Sequence, residues 1–284
     1  MFKAKFKFGF FFVISVTFLL LQFNYSSAQG NLLITPRRVV FDGTRRVMEL
    51  SLANSGVDSA RYNISIIQYR MNEDGSFTEI SEPDPGQLFA DKNIRFFPRT
   101  VNLGPNEAQS VRMQVINQDK MGPGEYRSHV YFRSVPNVVA LGEEQTKIDS
   151  SSVSVQLIPI FGITIPVIIR IGENNTTANL SELSLIKYND TTNIVEFTIN
   201  RQGNMSIYGD FKVTHTSPSG KETIVGTING LAVYTPIAKR IVRFELDNDK
   251  SVNYKSGKLN IIYYSQSDTR PVTYAEAELN LNEL

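Results

Sequence analysis

Between Ser151 and Arg170 the chain reads SSVSVQLIPIFGITIPVIIR. Taken at every second position, one face is Val153, Val155, Leu157, Pro159, Phe161, Ile163, Ile165, Val167 and Ile169. The other face begins polar at Ser152, Ser154 and Gln156, then turns apolar at Ile158, Ile160 and Ile168. Strict alternation marks a strand covered on one face, and apolar positions on both faces mark a strand covered twice. A single strand of this length would span roughly 65 Å at about 3.3 Å per residue, about three times an ordinary strand. One small domain cannot bury all of it, so part of this row is expected to belong to a partner or to a second domain. The alternative is two successive core strands broken at Pro159 or Gly162, residue types that interrupt a strand.

The same period recurs upstream in shorter runs. Asn31 to Phe41 predicts a strand with Pro36 at an edge or kink, followed by a turn at Asp42-Gly43. Val47 to Leu52, Arg61 to Met71, Ile94 to Val101, Ala108 to Val115 and Tyr126 to Val135 predict further strands. Gly75 closes a turn that needs left-handed backbone. About seven such runs separated by Gly, Pro and Asn, with no helical period, predict an antiparallel immunoglobulin-like β-sandwich with the long strand last. Gly172 to Asn179 is polar and reads as a linker. The pattern then resumes at Leu183–Leu185, Ile194–Ile199, Tyr208–Val213, Ile224–Leu231, Arg240–Leu246, Gly257–Tyr264 and Thr273–Leu281, a second all-β domain.

Length agrees, since 284 residues favour two domains of ordinary size. The N-terminus has its own pattern: Lys3, Lys5 and Lys7, an apolar run from Phe8 to Leu21, then the small residues Ser26-Ser27-Ala28. This is the order of a secretory signal peptide cleaved after Ala28. The expected division is residues 1–28 as signal peptide, 29–171 as the first domain and 172–284 as the second. Cleavage removes three of 29 basic residues and none of 28 acids, which leaves a mature charge near −2. Bulk charge therefore points to neither nucleic acid nor an anionic surface. Without cysteine there is no disulfide, thiolate catalysis or Cys-based metal site. Two histidines, His129 and His215, cannot form a cluster.

No nucleophile elbow, phosphate loop, zinc-protease helix or nucleotide fingerprint occurs in the chain. Glu82 and Asp84 flank a proline in EPDPG, a setting that marks a solvated loop before it marks an acid–base pair. Neither an enzyme nor a cofactor or metal is expected. The basic pair Arg37-Arg38 precedes Val39-Val40-Phe41 on the first strand. Arginine on an edge strand blunts aggregation; its guanidinium fork is also suited to a carboxylate.

At these residues a resemblance emerges. R-V-V-F-D-G followed by a strand ending N-S-G resembles the opening of the periplasmic pilus chaperones of the chaperone–usher pathway. F-F-P-R-T-V-N-L-G-P-N-E-A-Q-S-V-R-M, Y-R-S-H-V-Y-F-R-S-V-P and F-G-I-T-I-P-V-I-I-R are similar to later segments of that family, in order. I-Y-G-D-F-K-V and G-L-A-V-Y-T-P are weaker matches in the second domain. The resemblance implies two sandwiches in a boomerang. It also implies that the chaperone lends its seventh strand to a pilus subunit that lacks one.

In that family an Arg on the first strand and a Lys on the seventh hold the client's C-terminal carboxylate. Arg38 matches the Arg. The Lys has no counterpart: Phe161, Thr164 or Pro166 stands there, depending on alignment, and Arg37 or the Thr164 hydroxyl is the expected substitute. The donor residues implied are Val153, Val155 and Leu157, with Phe161. Burying three aliphatic side chains contributes roughly 5–8 kcal/mol before ordering costs.

The expectation is a periplasmic chaperone that caps pilus or fimbrial subunits, with an outer-membrane usher as second partner. It has no small-molecule substrate, and when client-free its exposed strand is expected either to be shielded by the loop Asn137 to Ser150 or to pair with a second copy. The rival is a secreted tandem-sandwich adhesin or structural surface protein, in which the long strand is wholly internal.

Overall fold

Leu32–Thr35 (β1) and Val39–Phe41 (β2) are one apolar run split at Pro36, and they belong to different sheets. The structure is a computed structural model that describes residues 32–136, 160–189, 192–266 and 270–283. The expected signal peptide and the donor residues Val153, Val155 and Leu157 lie outside the described residues.

The chain continues through Val47–Asn54 (β3), Ala60–Ile67 (β4), Tyr69–Met71 (β5), Phe77–Glu79 (β6), Ile94–Phe97 (β7), Thr100–Leu103 (β8), Ala108–Val115 (β9), Gly124–Val135 (β10) and Gly162–Ile171 (β11). One sheet has the order β1-β3-β9-β7 and its partner the order β2-β11-β10-β4-β8. This is the strand order of an immunoglobulin-like sandwich in which the first and fourth strands each cross between sheets. The crossings fall at Pro36 and Pro98, residues that donate no ladder hydrogen bond and so sit where a strand leaves its sheet. Alternation decides the core: Leu50, Leu52, Val111 and Met113 from one sheet meet Ile64, Val130, Phe132, Ile165, Val167 and Ile169 from the other. Each such side chain contributes about 1.5–3 kcal/mol when taken out of water.

The second sandwich comprises Thr177–Lys187 (β12), Asn193–Gln202 (β13), Ile207–Thr216 (β14), Glu222–Val233 (β15), Lys239–Glu245 (β16), Lys258–Ser265 (β17) and Thr273–Asn280 (β18). Its sheets are β12-β13-β16 and β15-β14-β17-β18. Phe197, Phe211 and Tyr263 fill its centre, the last two stacked at 4.1 Å between ring centroids. The molecule is all-β, with two sandwiches.

Several elements differ from the sequence reading. The run Arg61 to Met71 is not one strand. It pairs with β10 only as far as Ile67, opposite His129. Beyond that point Leu88 takes the β10 edge, its carbonyl accepting from the Arg127 amide at 2.8 Å. The displaced chain forms the β5–β6 hairpin instead and leans on the second sandwich, where the Ile241 amide donates to the Glu73 carbonyl at 2.7 Å. Ile94 to Val101 likewise splits at Pro98 into β7 and β8. Polar Thr177 to Asn179, read as linker, opens β12 because its backbone pairs with Asn200 to Gln202. Of the long run, the described strand starts at Gly162, with Ile160 and Phe161 exposed ahead of it.

Candidate functional site

β2 runs parallel to β11 over only three pairs, Val39–Val167 to Phe41–Ile169. On its other side β11 pairs with β10 along its whole length, Gly162 to Ile171. Among the described residues nothing pairs with the β2-side edge of β11 from Gly162 to Pro166. This edge presents unpaired backbone donors and acceptors, the requirement for adding a further strand. Ile163, Ile165, Val167 and Ile169 face the first core, while Ile168 is fully buried between the sandwiches with Met71, Ala232 and Tyr234. The apolar second face of β11 is therefore explained by the second domain.

Arg38 sits where β2 begins, at the end of that open edge. Its guanidinium carbon lies 4.5 Å from the centroid of the Tyr208 ring. Its Nε and Nη2 are buried and have no hydrogen-bond partner. With Arg37, Val40, Tyr208, Gln266 and Tyr274 it lines a cleft of about 610 Å³ between the sandwiches. Arg37 is exposed. Among the described residues no carboxylate lines this cleft. Burial raises the Tyr234 phenol above its ordinary range, and the Arg38 and Arg127 charges oppose that shift. Buried guanidinium donors without an acceptor are costly.

Thr164 is placed elsewhere. It lines a second recess of about 420 Å³ with Tyr69, Phe77, His129, Tyr234 and Arg240. Pro166 lines the same recess. Arg38 and Arg37 thus share one cleft, and Thr164 faces its neighbour across Gly230, which borders both. Phe161, the remaining residue expected to act as a donor, is 44% exposed and ties the start of β11 to β10. Its amide donates to Ser134 Oγ at 3.0 Å and its carbonyl accepts from the Ser134 amide at 2.9 Å.

The floor between the two sandwiches is polar and buried. Glu125 Oε2 accepts from Arg170 Nε at 3.0 Å, from the Ser206 amide at 3.0 Å and from Ser206 Oγ at 2.7 Å. Arg170 also donates to the Ser206 carbonyl at 2.7 Å. Arg127 Nη2 reaches the carbonyls of Tyr69 and Thr235, both at 3.3 Å, and its guanidinium carbon lies 4.5 Å over the Tyr234 ring. Desolvation pushes the Arg127 pKa down.

Sequence reasoning singled out Arg38, which lines the first cleft, and did not single out Glu125, Arg127 or Arg240; it read His129 as structural. The two weakly matching segments of the second domain supply Tyr208 and Tyr234 to the site. In EPDPG, Asp84 is paired with Arg70, whose Nε lies 2.6 Å away, and that bond holds its carboxyl below the usual range. Among the described residues no group of His, Asp or Glu could hold a metal.

No family model and no curated protein sequence matches the chain. Solved structures similar to it are pilus chaperones. The Pseudomonas aeruginosa CupB2 chaperone is 13% identical with a TM-score of 0.44, over 88% of this chain and 100% of that one. A chain of the CsuC–CsuE chaperone–tip adhesion subunit complex, from the archaic chaperone–usher Csu pili of Acinetobacter baumannii, is 13% identical with a TM-score of 0.42, over 88% and 98%. A chain of the Salmonella enterica SafA pilin–SafB chaperone complex is 13% identical with a TM-score of 0.39, over 86% and 95%.

Proposed function

We propose that the protein is a chaperone of the periplasm. It caps pilus or related surface-fibre subunits by lending the β11 edge and the segment before it, and it takes the division of residues 29–171 and 172–284 as its two domains. The observation that carries this reading is the pair of buried Arg38 nitrogens, Nε and Nη2, left without a partner at the end of a strand edge that no described strand covers. A direction for the client strand belongs to this reading. β2 occupies the β11 edge from Val167 onward and runs parallel to it. A client strand along Phe161 to Pro166 in that same direction ends at Arg38, so its C-terminal carboxylate meets the guanidinium. An antiparallel strand would bring an N-terminal amine there, and like charges repel. Val153, Val155, Leu157 and Phe161 fill the client's open core in this reading, with Arg37 at the rim of the cleft. An outer-membrane usher then receives the capped subunit.

The test is expression of the full chain in the periplasm and mass spectrometry of what co-purifies. A subunit whose own sandwich lacks a strand is expected. Arg38→Ala, with the fold intact, loses a charge-assisted bond of about 1.5–3 kcal/mol, which weakens capture about tenfold or more. A monomer that binds a surface or ligand, carries no such subunit and is indifferent to Arg38→Ala would replace this reading with an adhesin.

A further inference from the structure

The second recess has more unsatisfied donors than the fold requires. Tyr69, Phe77, His129 and Tyr234 form its wall, with Tyr69 and His129 edge to face at 5.1 Å, Phe77 and His129 at 5.8 Å, and Phe77 and Tyr234 at 6.2 Å between ring centroids. Arg240 closes it from β16; one terminal nitrogen donates to the Ala232 carbonyl, while Nε is buried with no partner. His129 is 3% exposed and its Nδ1 is also buried without a partner. Arg127, two residues before His129 on the same face of β10, holds Nε and Nη1 unpaired behind the wall. Thr164 adds a hydroxyl at the mouth.

Among the described residues the acids nearby form no hydrogen bond to these donors; Glu79, paired with Tyr69 across the hairpin, is exposed. Asp74 acts on Arg240, but its carboxylate is turned into its own loop, accepting from the Ser76 amide at 2.9 Å and hydroxyl at 2.6 Å. Glu125 is engaged with Arg170 and Ser206. His129 stays uncharged, since desolvation first and the Arg127 charge second lower its pKa to about 3. A neutral imidazole can carry its proton on Nδ1 and donate it. Unpaired buried donors within an aromatic wall describe a polar end and an apolar body in one ligand, and the volume suits a small molecule.

We propose that this recess binds a carboxylate carried on a flat aromatic body, with Arg240 Nε and His129 Nδ1 holding the anion and the Tyr69, Phe77 and Tyr234 rings packing on the body. The site adjoins the Arg38 cleft at Gly230 and does not depend on the chaperone reading. The same carboxylate chemistry could arrive free or on a polypeptide side chain, and the probes separate the two.

The experiment is calorimetric titration of the client-free full chain with sodium benzoate, with benzamide as the neutral isostere and N-acetylglutamate N-methylamide as the side-chain form. Benzoate is expected to saturate the recess. Benzamide should bind about tenfold more weakly, because charge-assisted bonds to a guanidinium are roughly twice as strong as neutral ones. Arg240→Gln should erase the preference for benzoate. Phe77→Ala, at a ring 46% exposed and therefore safe for folding, should weaken benzoate about fivefold or more. Benzoate binding should survive Arg38→Ala. Equal binding of benzoate and benzamide, no saturable binding, or full retention in the folded Phe77→Ala protein would overturn the proposal. Tighter binding of the glutamate derivative than of benzoate would overturn the aromatic part of it. None of these outcomes bears on subunit capture, which is measured separately.

Discussion

Glu125 and Arg170 face each other across the β10–β11 ladder, 3.0 Å between Oε2 and Nε, and the same carboxylate oxygen accepts from Ser206 of the other sandwich. The Glu125 side chain is fully buried and that of Arg170 is 22% exposed. One carboxylate therefore joins a strand of the first domain, its neighbour and the start of β14.

Glu125→Ala should cost about 3–5 kcal/mol, the range for removing one member of a buried ion pair. It leaves Arg170 Nε and the Ser206 amide and hydroxyl without the acceptor they share. Urea unfolding of the two proteins measures this. A change under about 1 kcal/mol would mean that the pair is no tie between the sandwiches.

Aspartate substitutions should divide the long run in two. Val167 is fully buried and Ile165 is 4% exposed. An unpaired charge at either site should unfold the first sandwich. Val155→Asp and Leu157→Asp should abolish subunit capture and leave the melting temperature nearly unchanged. If those two lowered it as far as Val167→Asp does, the upper run would be core and the adhesin reading would lead.

Acid should loosen the junction through His129. Its folded pKa, about 3, lies below the unfolded value of 6.5. Between those values the unfolded chain binds the extra proton, so the contribution is complete above about pH 6.5 and is lost as pH falls toward 3. The slope from this residue approaches about 1.4 kcal/mol per pH unit in the middle of that window. Stability measured at pH 6.5 and 4.5 should fall less in His129→Gln than in the parent. Equal losses would show that His129 titrates normally.

At Gly75 the backbone has φ +84°, and an added Cβ would fall against the Arg240 guanidinium. Gly75→Ala should cost about 1–2 kcal/mol for the left-handed backbone alone. It should also displace Arg240. Thermal melts should show the loss, and an Arg240→Ala background should reduce the steric part of it. A neutral Gly75→Ala would mean that the hairpin does not press on Arg240.

Much of this was legible in one dimension. Ala108 to Val115 was predicted as a strand and β9 has those bounds. Period two is a local property: side chains alternate wherever the backbone is extended, so the buried set Leu50, Leu52, Val111 and Met113 can be picked out without a fold. Turn glycines are equally local, since Gly43 and Gly75 need only their own positive φ. Arg38 stood out because a basic pair on an apolar strand requires a reason.

Only the tertiary structure decided the rest. Arg127 and His129 alternate with Val130 and Phe132 as polar positions do on any half-exposed strand. A sequence cannot say whether such a face meets water or another domain, and here it meets the second sandwich. Glu125 finds Ser206 81 positions away. Arg127 reaches Thr235 108 positions away. Thr164 and Arg38 were candidates for one anchor, yet they line different cavities, both bordered by Gly230. Alternation along a strand depends on the chain's own geometry, so the sequence determined two sandwiches and their cores. Which polar residues converge depends on how those sandwiches dock, and contacts between residues so far apart leave no periodic trace in the chain.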